Sequence, residues 1–510
     1  MSVTLLSAHA QDDAFTLTVM HTNDVHATYD PDRDDRGGAA RQAAVVKTIR
    51  AEVDHSLLVD SGDRFTGSMF HSFYQGWDSA QVMNQLGYDA MVLGSYEFTH
   101  GAELLANFLE LLEFPVVVAN ADFGASDLLE GKTSAYTTFT FDGEIVGVIG
   151  VTQGDSRIRP IPNIEFDTDY VGVIQREVDA LTAQGVNKII LLSHLGYFTD
   201  LDIATQLAGV DLIVGGDSNT LLSNTLPDAE GPYPAVMHNL TGEPILVVQA
   251  WQQGRVLGRL DMVFDANGVL TEWDGDAILL NSEIEDDPDM VALIEELRAP
   301  LPDFLDQVIG TTEVLLDGDQ DTDKCRYEEC NIGNLITDAM RDVTGAQIAF
   351  QNGGGIRASI EPGEITVGDV LAVVPFNNTF VIFEISGDDM IAALENSVSR
   401  VEATEGTGRF LQVSGLRFTW DGSQPVGRRV ASVEVLNKNG TYETLDPDEV
   451  YTVVTNDYLY AGGDDYTMFA NGVDNFDFGR TLDEIVRTYV AKISPINIAD
   501  SEGRIKRLDR

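Results

Sequence analysis

The sequence runs to 510 residues, too long for one hydrophobic core, so two or three domains are expected. Hydrophobic residues make up 44% of it with no excess of Gly or Pro, which excludes a disordered or collagen-like chain. Lys and Arg number 31 against 83 Asp and Glu, a net charge of −52, and this excludes non-specific nucleic-acid binding, whose affinity comes from cations that neutralise phosphates.

That charge is spread along the whole length rather than gathered in a tail. Such a surface suits a saline medium, where screening shortens the reach of self-repulsion. An anionic ligand must then be held by locally placed metals and arginines. Residues 1–14 end a short apolar run with Ala8, His9 and Ala10, the small-x-small pattern of a secretory leader, here without a basic start. The alternatives are a truncated leader and an ordinary disordered start; we read it as the former, which implies a periplasmic or secreted protein. No later stretch approaches 18 uninterrupted apolar residues, so no membrane span is expected.

From residue 15 the chain alternates short apolar, β-branched runs with helical patterns. Strands are predicted at 15–20, 56–60, 90–93, 115–119, 145–149, 188–192 and 210–214, and helices at 38–53 and 103–112. Strand, polar turn and helix in succession predict an α/β layered sheet. In such sheets the polar residues just past strand C-termini converge on one edge, and sites form there.

Five of those strand ends carry potential ligands: Asp24 and His26 in HTNDVHA, Asp63 in SGDRFTG, the stretch GSYEFTHG from Gly94, His194 in SHLG, and Asp217 with Asn219 in GGDSNT. Singly each reads as a helix cap or a packed histidine. Five at successive strand ends read as a site. A helical pattern at 290–297, followed by Pro300 and Pro302, marks a connector between domains.

Beyond it a second amphipathic helix is predicted at 331–343. Cys325 and Cys330 are spaced for a local disulfide, which an exported protein allows. The stretch QNGGGIR brings Asn352, three glycines that permit close backbone approach to a ligand, and Arg357, able to pair bidentately with a phosphate or carboxylate.

The series HTNDxH, GD, GxxEF, SHxG and GG in chain order, with NGGGIR after it, resembles the 5′-nucleotidase family from about residue 15 to the C-terminus. The resemblance implies a calcineurin-like metallophosphoesterase β-sandwich with flanking helices over 15–285, a linker helix over 286–307, and an α/β nucleotide-recognition domain over 308–510. It further implies one or two divalent ions (Zn, Mn or Co), with Asp24 and His26 at the first metal and Asp63 bridging. His194 would bind the second metal, and Asn219 the first metal or the phosphate.

In the recognition half, the resemblance puts Phe376 and Tyr458 on the two faces of a base and Asp464 on the ribose. Asn352 would reach the base edge and Arg326 the phosphate, and Gly354 and Arg357 join them as substrate-binding residues. The expected ligand is a nucleotide or nucleoside, bound by a monomer or homodimer.

This chain departs from the family pattern GNHEFD. Ser95 stands where a metal-binding Asn is usual, Tyr96 where a His stabilises the transition state, and Thr99 where an Asp orients that His. Asp217 replaces a His ligand, and His100 lies one residue past Thr99 as a possible substitute. Ser95 is a poor ligand and Tyr96 offers one hydrogen bond but no imidazolium, so a lost acid or oxyanion donor costs about 10²–10³-fold. The expected activity is metal-dependent hydrolysis of nucleoside 5′-phosphates. Two further readings are a nucleotide-binding protein with weak turnover, and a thiosulfohydrolase-like hydrolase on the same scaffold.

Overall fold

The computed structural model describes residues 14–154, 161, 164–318, 324–376, 378–401, 408–477 and 479–509. The leader reading lies outside these residues. The chain forms two compact units, one drawn mainly from the residues up to Leu297, the other mainly from Arg298–Arg510.

The first unit contains two sheets. The five-stranded sheet runs Leu270–Leu279, Val256–Phe264, Phe15–Thr22, Ser56–Asp60, Ala90–Met91. Its last three strands are parallel, with Thr22 opposite Asp60 and Asp60 opposite Met91. The six-stranded sheet runs Ala235–His238, Pro244–Val248, Leu212–Gly215, Ile189–His194, Glu144–Thr152, Tyr136–Phe141. Its inner four strands are parallel.

Parallel strands covered on both faces read as unbroken apolar runs. Ile189 to Leu192 and Leu212 to Val214 are such runs, each residue 1% exposed or less. At the strand ends Ser61 Oγ donates to the Val214 carbonyl at 2.7 Å, tying the two sheets together beside the ligand-bearing turns.

Helices Ala39–Glu52 and Ala102–Leu111 fall where periodicity predicts them. The predicted strand at 115–119 does not form as a regular strand. Val116 and Val117 make only isolated bridges to Met91 and Ser134, and Gly150 packs so closely against them that a Cβ there would sit 2.0 Å from the Val117 carbonyl. The connector contains two helices, Pro288–Arg298 and Leu301–Leu305, in place of one. Pro300 caps the second; a proline has no amide to continue the first.

In the second unit a five-stranded sheet runs Leu411–Ser414, Ile348–Asn352, Val450–Asn456, Phe380–Ser386, Val473–Asp477. The two central strands Ile348–Asn352 and Val450–Asn456 are parallel, so Asn352 and Asn456 end side by side. Helix Asn331–Thr344 lies in a core of Ile332, Leu335, Ile336, Ala339 and Met340. A four-stranded sheet, Tyr442–Thr444, Val430–Leu436, Leu416–Trp420, Ile505–Arg507, completes the unit.

Candidate functional site

In the first unit the predicted ligands gather at one edge of both sheets. Asp24, His26 and Asp63 each offer a ligand atom within 4.8 Å of the others. Asp24 and Asp63 are buried and His26 is half-buried. The turns that present them are left-handed: φ is 51° at Asp24, 52° at His26, 59° at Asp63, 75° at Asp217 and 53° at Asn219. Non-glycine residues in this region are uncommon, and strain of this kind concentrates at functional sites.

Close approach depends on glycine. A Cβ on Gly94 would lie 2.2 Å from Asp63 Oδ1, so the turn after Ala90–Met91 can meet the turn after Ser56–Asp60 only without a side chain there. Asn23 donates to Asp24 Oδ2 at 2.6 Å and to the Trp251 carbonyl at 2.7 Å, fixing the first carboxylate.

Both imidazoles are oriented by the backbone. His26 Nδ1 donates to the Phe65 carbonyl at 3.0 Å and His194 Nδ1 to the Ser61 carbonyl at 2.5 Å, so Nε2 is the nitrogen each ring has left for a cation. His194 Nε2 is fully buried, 3.2 Å from Asp63 Oδ2, without hydrogen-bond geometry. Asn219 Oδ1 is buried with no hydrogen-bond partner. Orphaned atoms of this kind are unusual in a finished interior.

The electrostatics point the same way. Burial pushes the Asp24 carboxyl well up, and the charges of Asp63 and Asp217 add to it against an opposing His194. Burial alone would raise Asp63, yet the charges of His194 and His26 hold it below the usual range. At His194 burial alone would push the imidazole down, yet the charges of Asp63 and Asp24 carry it well up. Converging carboxylates with the Nε2 atoms of His26 and His194 are a donor set that suits a divalent cation, which would relieve the repulsion among the carboxylates. Asp217 enters through its backbone, whose amide donates to Asp24 at 3.1 and 3.2 Å.

The divergent turn packs against this group. The Tyr96 amide donates to Asp63 Oδ1 at 2.9 Å, while Ser95 Oγ stands off at 3.4 and 3.5 Å. The Tyr96 ring meets the His26 ring edge-on, centroids 4.9 Å apart. Thr99 Oγ1 lies 2.8 Å from both the Tyr96 carbonyl and His100 Nδ1, so Thr99 does reach a histidine, at position 100. Sequence reasoning gave no role to Glu97, whose buried carboxylate accepts backbone amides from Asp63, Arg64, Phe65 and Gly94.

In the second unit the predicted recognition residues line one end of the five-stranded sheet. Asn352 Nδ2 donates to Asp464 Oδ2 at 3.0 Å, and Tyr458 OH donates to Asp464 Oδ1 at 3.2 Å. Asn456 Nδ2 donates to Asn352 Oδ1 at 3.0 Å, fixing which way that amide faces. Phe376 is 43% exposed and Tyr458 46%, too open for core packing to explain them. The Arg357 guanidinium lies over the Phe376 ring, 5.9 Å from its centroid.

Cys325 and Cys330 form a disulfide. Buried Gln412 clamps that loop: its Nε2 donates to the carbonyls of Cys325 (2.8 Å) and Glu328 (2.9 Å), and its Oε1 accepts from Cys330 N at 3.1 Å. The glycine run makes its close approach to the chain itself. A Cβ on Gly353 would meet the Cys325 carbonyl at 2.2 Å, and the Gly354 amide is already bonded to the Gly408 carbonyl at 2.8 Å. The run therefore seats Arg326 beside Arg357's turn, since Arg326 Cα is 3.1 Å from that same Cβ position.

A calcineurin-like phosphoesterase family model matches residues 17–220, and a 5′-nucleotidase C-terminal domain model matches residues 308–471. The chain is 38% identical over 526 residues to the 5′-nucleotidase of Diplobatis ommata, covering 96% of this chain and 90% of that protein. Among solved structures it is similar to a 5′-nucleotidase precursor from Thermus thermophilus, at 41% identity and a TM-score of 0.63 over 97% of this chain and 100% of the other. The NAD nucleotidase of Haemophilus influenzae matches over the same shares, with 25% identity and a TM-score of 0.82. Matched across both halves and nearly its whole length, the chain belongs to the 5′-nucleotidase family.

Proposed function

We propose that the protein hydrolyses nucleoside 5′-phosphates or related phosphoesters to nucleoside and phosphate, with divalent cations held by its first unit. The convergence of Asp24, His26 and Asp63, with the histidine's Nε2 left free, is the observation that carries this reading. Divalent cations held there would supply Lewis-acid polarisation of a phosphoryl group and a water of lowered pKa. Asp24, His26 and Asp63, with His194, Asp217 and Asn219, would hold them; zinc, manganese and cobalt all suit mixed carboxylate and imidazole donors.

The remaining chemistry falls to the chain's own groups. Tyr96, beside His26, donates a hydrogen bond where charge develops, and the Thr99–His100 pair offers a titratable group one residue further on. Phe376 and Tyr458 stack on the base and Asp464 accepts from ribose hydroxyls. Asn352 reaches the base edge, and Arg326 and Arg357 pair with phosphate. The metal-holding domain spans 15–285, a linker 286–307 and the recognition domain 308–510. A periplasmic or secreted setting agrees with the disulfide, since thiols stay reduced in most cytosols.

The test is phosphate release from a panel of nucleotides with added Mn²⁺, Zn²⁺, Co²⁺ or Mg²⁺, with Asp63→Ala as control. Turnover that disappears in the control supports the reading. Calorimetric binding of AMP without phosphate release under any metal would overturn hydrolysis and leave a nucleotide-binding protein.

A further inference from the structure

We propose that Glu97 is the positioning residue of the metal centre, aiming both Asp63 and His26 through the backbone. The inference rests on the reading of Asp63 as a metal ligand. Glu97 is fully buried. Its Oε1 accepts from the amides of Arg64 at 2.6 Å and Phe65 at 3.1 Å; its Oε2 accepts from Asp63 at 3.1 Å and Gly94 at 2.6 Å.

These four amides belong to two turns that leave adjacent parallel strands, beyond the last ladder pair of Asp60 with Met91. Past that pair the Val92 amide still donates to the Asp60 carbonyl, and the Asp24 and His26 amides donate to the Gly62 and Asp63 carbonyls; the Glu97 carboxylate adds four bonds that join the two turns to each other. Its consequences reach two members of the ligand group. The Asp63 amide is fixed in a left-handed turn, and the Phe65 residue whose carbonyl orients His26 is fixed with it. Holding Gly94 sets the turn whose Tyr96 amide meets Asp63 Oδ1.

This route depends on the backbone and not on side chains at positions 95 and 96. Ser95 Oγ, at 3.4 and 3.5 Å, adds little to the aim of Asp63. A carboxylate is needed because only two oxygens with four lone-pair directions can take four amides. A glutamine would turn an NH₂ group towards two of those donors.

The experiment uses the full chain stripped of metal, with Mn²⁺ titrated calorimetrically. Glu97→Gln should weaken Mn²⁺ binding at least roughly tenfold, the effect typical of groups that orient ligands. It should lower kcat while leaving calorimetric AMP affinity unchanged. Asp211→Asn serves as a stability control: Asp211 bonds the Ile189 amide at 2.8 Å, at the strand end away from His194, so its loss should lower the melting temperature without moving Mn²⁺ affinity.

Parent-like Mn²⁺ binding in Glu97→Gln, together with its loss in Asp63→Ala, would reduce Glu97 to a structural staple. Unchanged Mn²⁺ binding in Asp63→Ala would bring down the metal-centre reading and this proposal together. If Glu97→Gln does not fold, Glu97→Asp keeps the charge but shortens the reach by one methylene. It too must weaken Mn²⁺, and parent-like affinity there overturns the proposal.

Discussion

Asn352 and Asp464 meet through a 3.0 Å hydrogen bond although 112 residues separate them. The bond joins the turn after one central strand to a turn in which Asp464 itself is left-handed, with φ 53°. A second carboxylate oxygen is held by Tyr458 OH, so one acid links an amide and an aromatic ring at a single sheet end.

That arrangement predicts how nucleotide affinity responds to truncation. Phe376→Ala removes an exposed aromatic face, and stacking on such a face is worth about 1–3 kcal/mol per base, or roughly 5- to 150-fold in Kd. Arg357→Ala removes the proposed phosphate partner as well as the cation over that ring. Calorimetry with AMP should show weaker binding in both variants; unchanged affinity in both would sink the assigned pocket.

Restoring the family's residues at the divergent turn should speed turnover. In the triple variant Ser95→Asn, Tyr96→His, Thr99→Asp, an imidazole next to an orienting carboxylate replaces a phenol. General acid and oxyanion contributions of this kind are worth about 10²-fold or more, so kcat for AMP should rise at least roughly tenfold with little change in KM. A flat kcat would mean that Tyr96 and the Thr99–His100 pair already meet the need.

His21 makes stability sensitive to acid. Burial pushes its imidazole down to about 3, and it shares a 2.8 Å hydrogen bond with Tyr233 OH. A neutral histidine with a depressed folded-state pKa leaves the unfolded chain binding the extra proton between about pH 6.5 and 3. Its contribution is therefore whole above about pH 6.5 and declines as pH falls, by on the order of 2–3 kcal/mol at pH 4.5. His21→Gln, which keeps a hydrogen-bonding group but cannot titrate, should lose less stability between pH 7 and 4.5 than the parent in urea denaturation. An equal loss in both proteins would exclude His21 as a source of acid sensitivity.

Gln412→Ala should be costly in stability and in affinity. It strands the buried Cys325 carbonyl and Cys330 amide, and the part-buried Glu328 carbonyl, around the disulfide loop, and an unsatisfied buried group costs about 1–3 kcal/mol. A lower melting temperature should come with weaker AMP binding, because the same loop carries Arg326. Lowered stability with AMP affinity intact would separate the loop from the nucleotide pocket.

What the sequence determined by itself is local. Apolar runs that end in Gly, Asp or Asn set the parallel strands and the turns after them, so Asp24, His26, Asp63 and His194 could be picked out by position alone. Strand period and burial on both faces act over five or six residues, which is why Ser56–Asp60 appears with its predicted bounds. The 115–119 run satisfied the same local rule, yet it makes only isolated bridges, because ladder formation also needs neighbours in register along its length.

Tertiary structure alone decided the rest. Whether the glycines of NGGGIR approach a ligand or their own chain depended on where Cys325 and Gly408 come to lie. The work of Glu97 and Gln412 rests on backbone amides and carbonyls, which every residue carries and no motif encodes. Their partners acquire meaning only when turns from separate strands are brought within about 3 Å of one carboxylate or one amide.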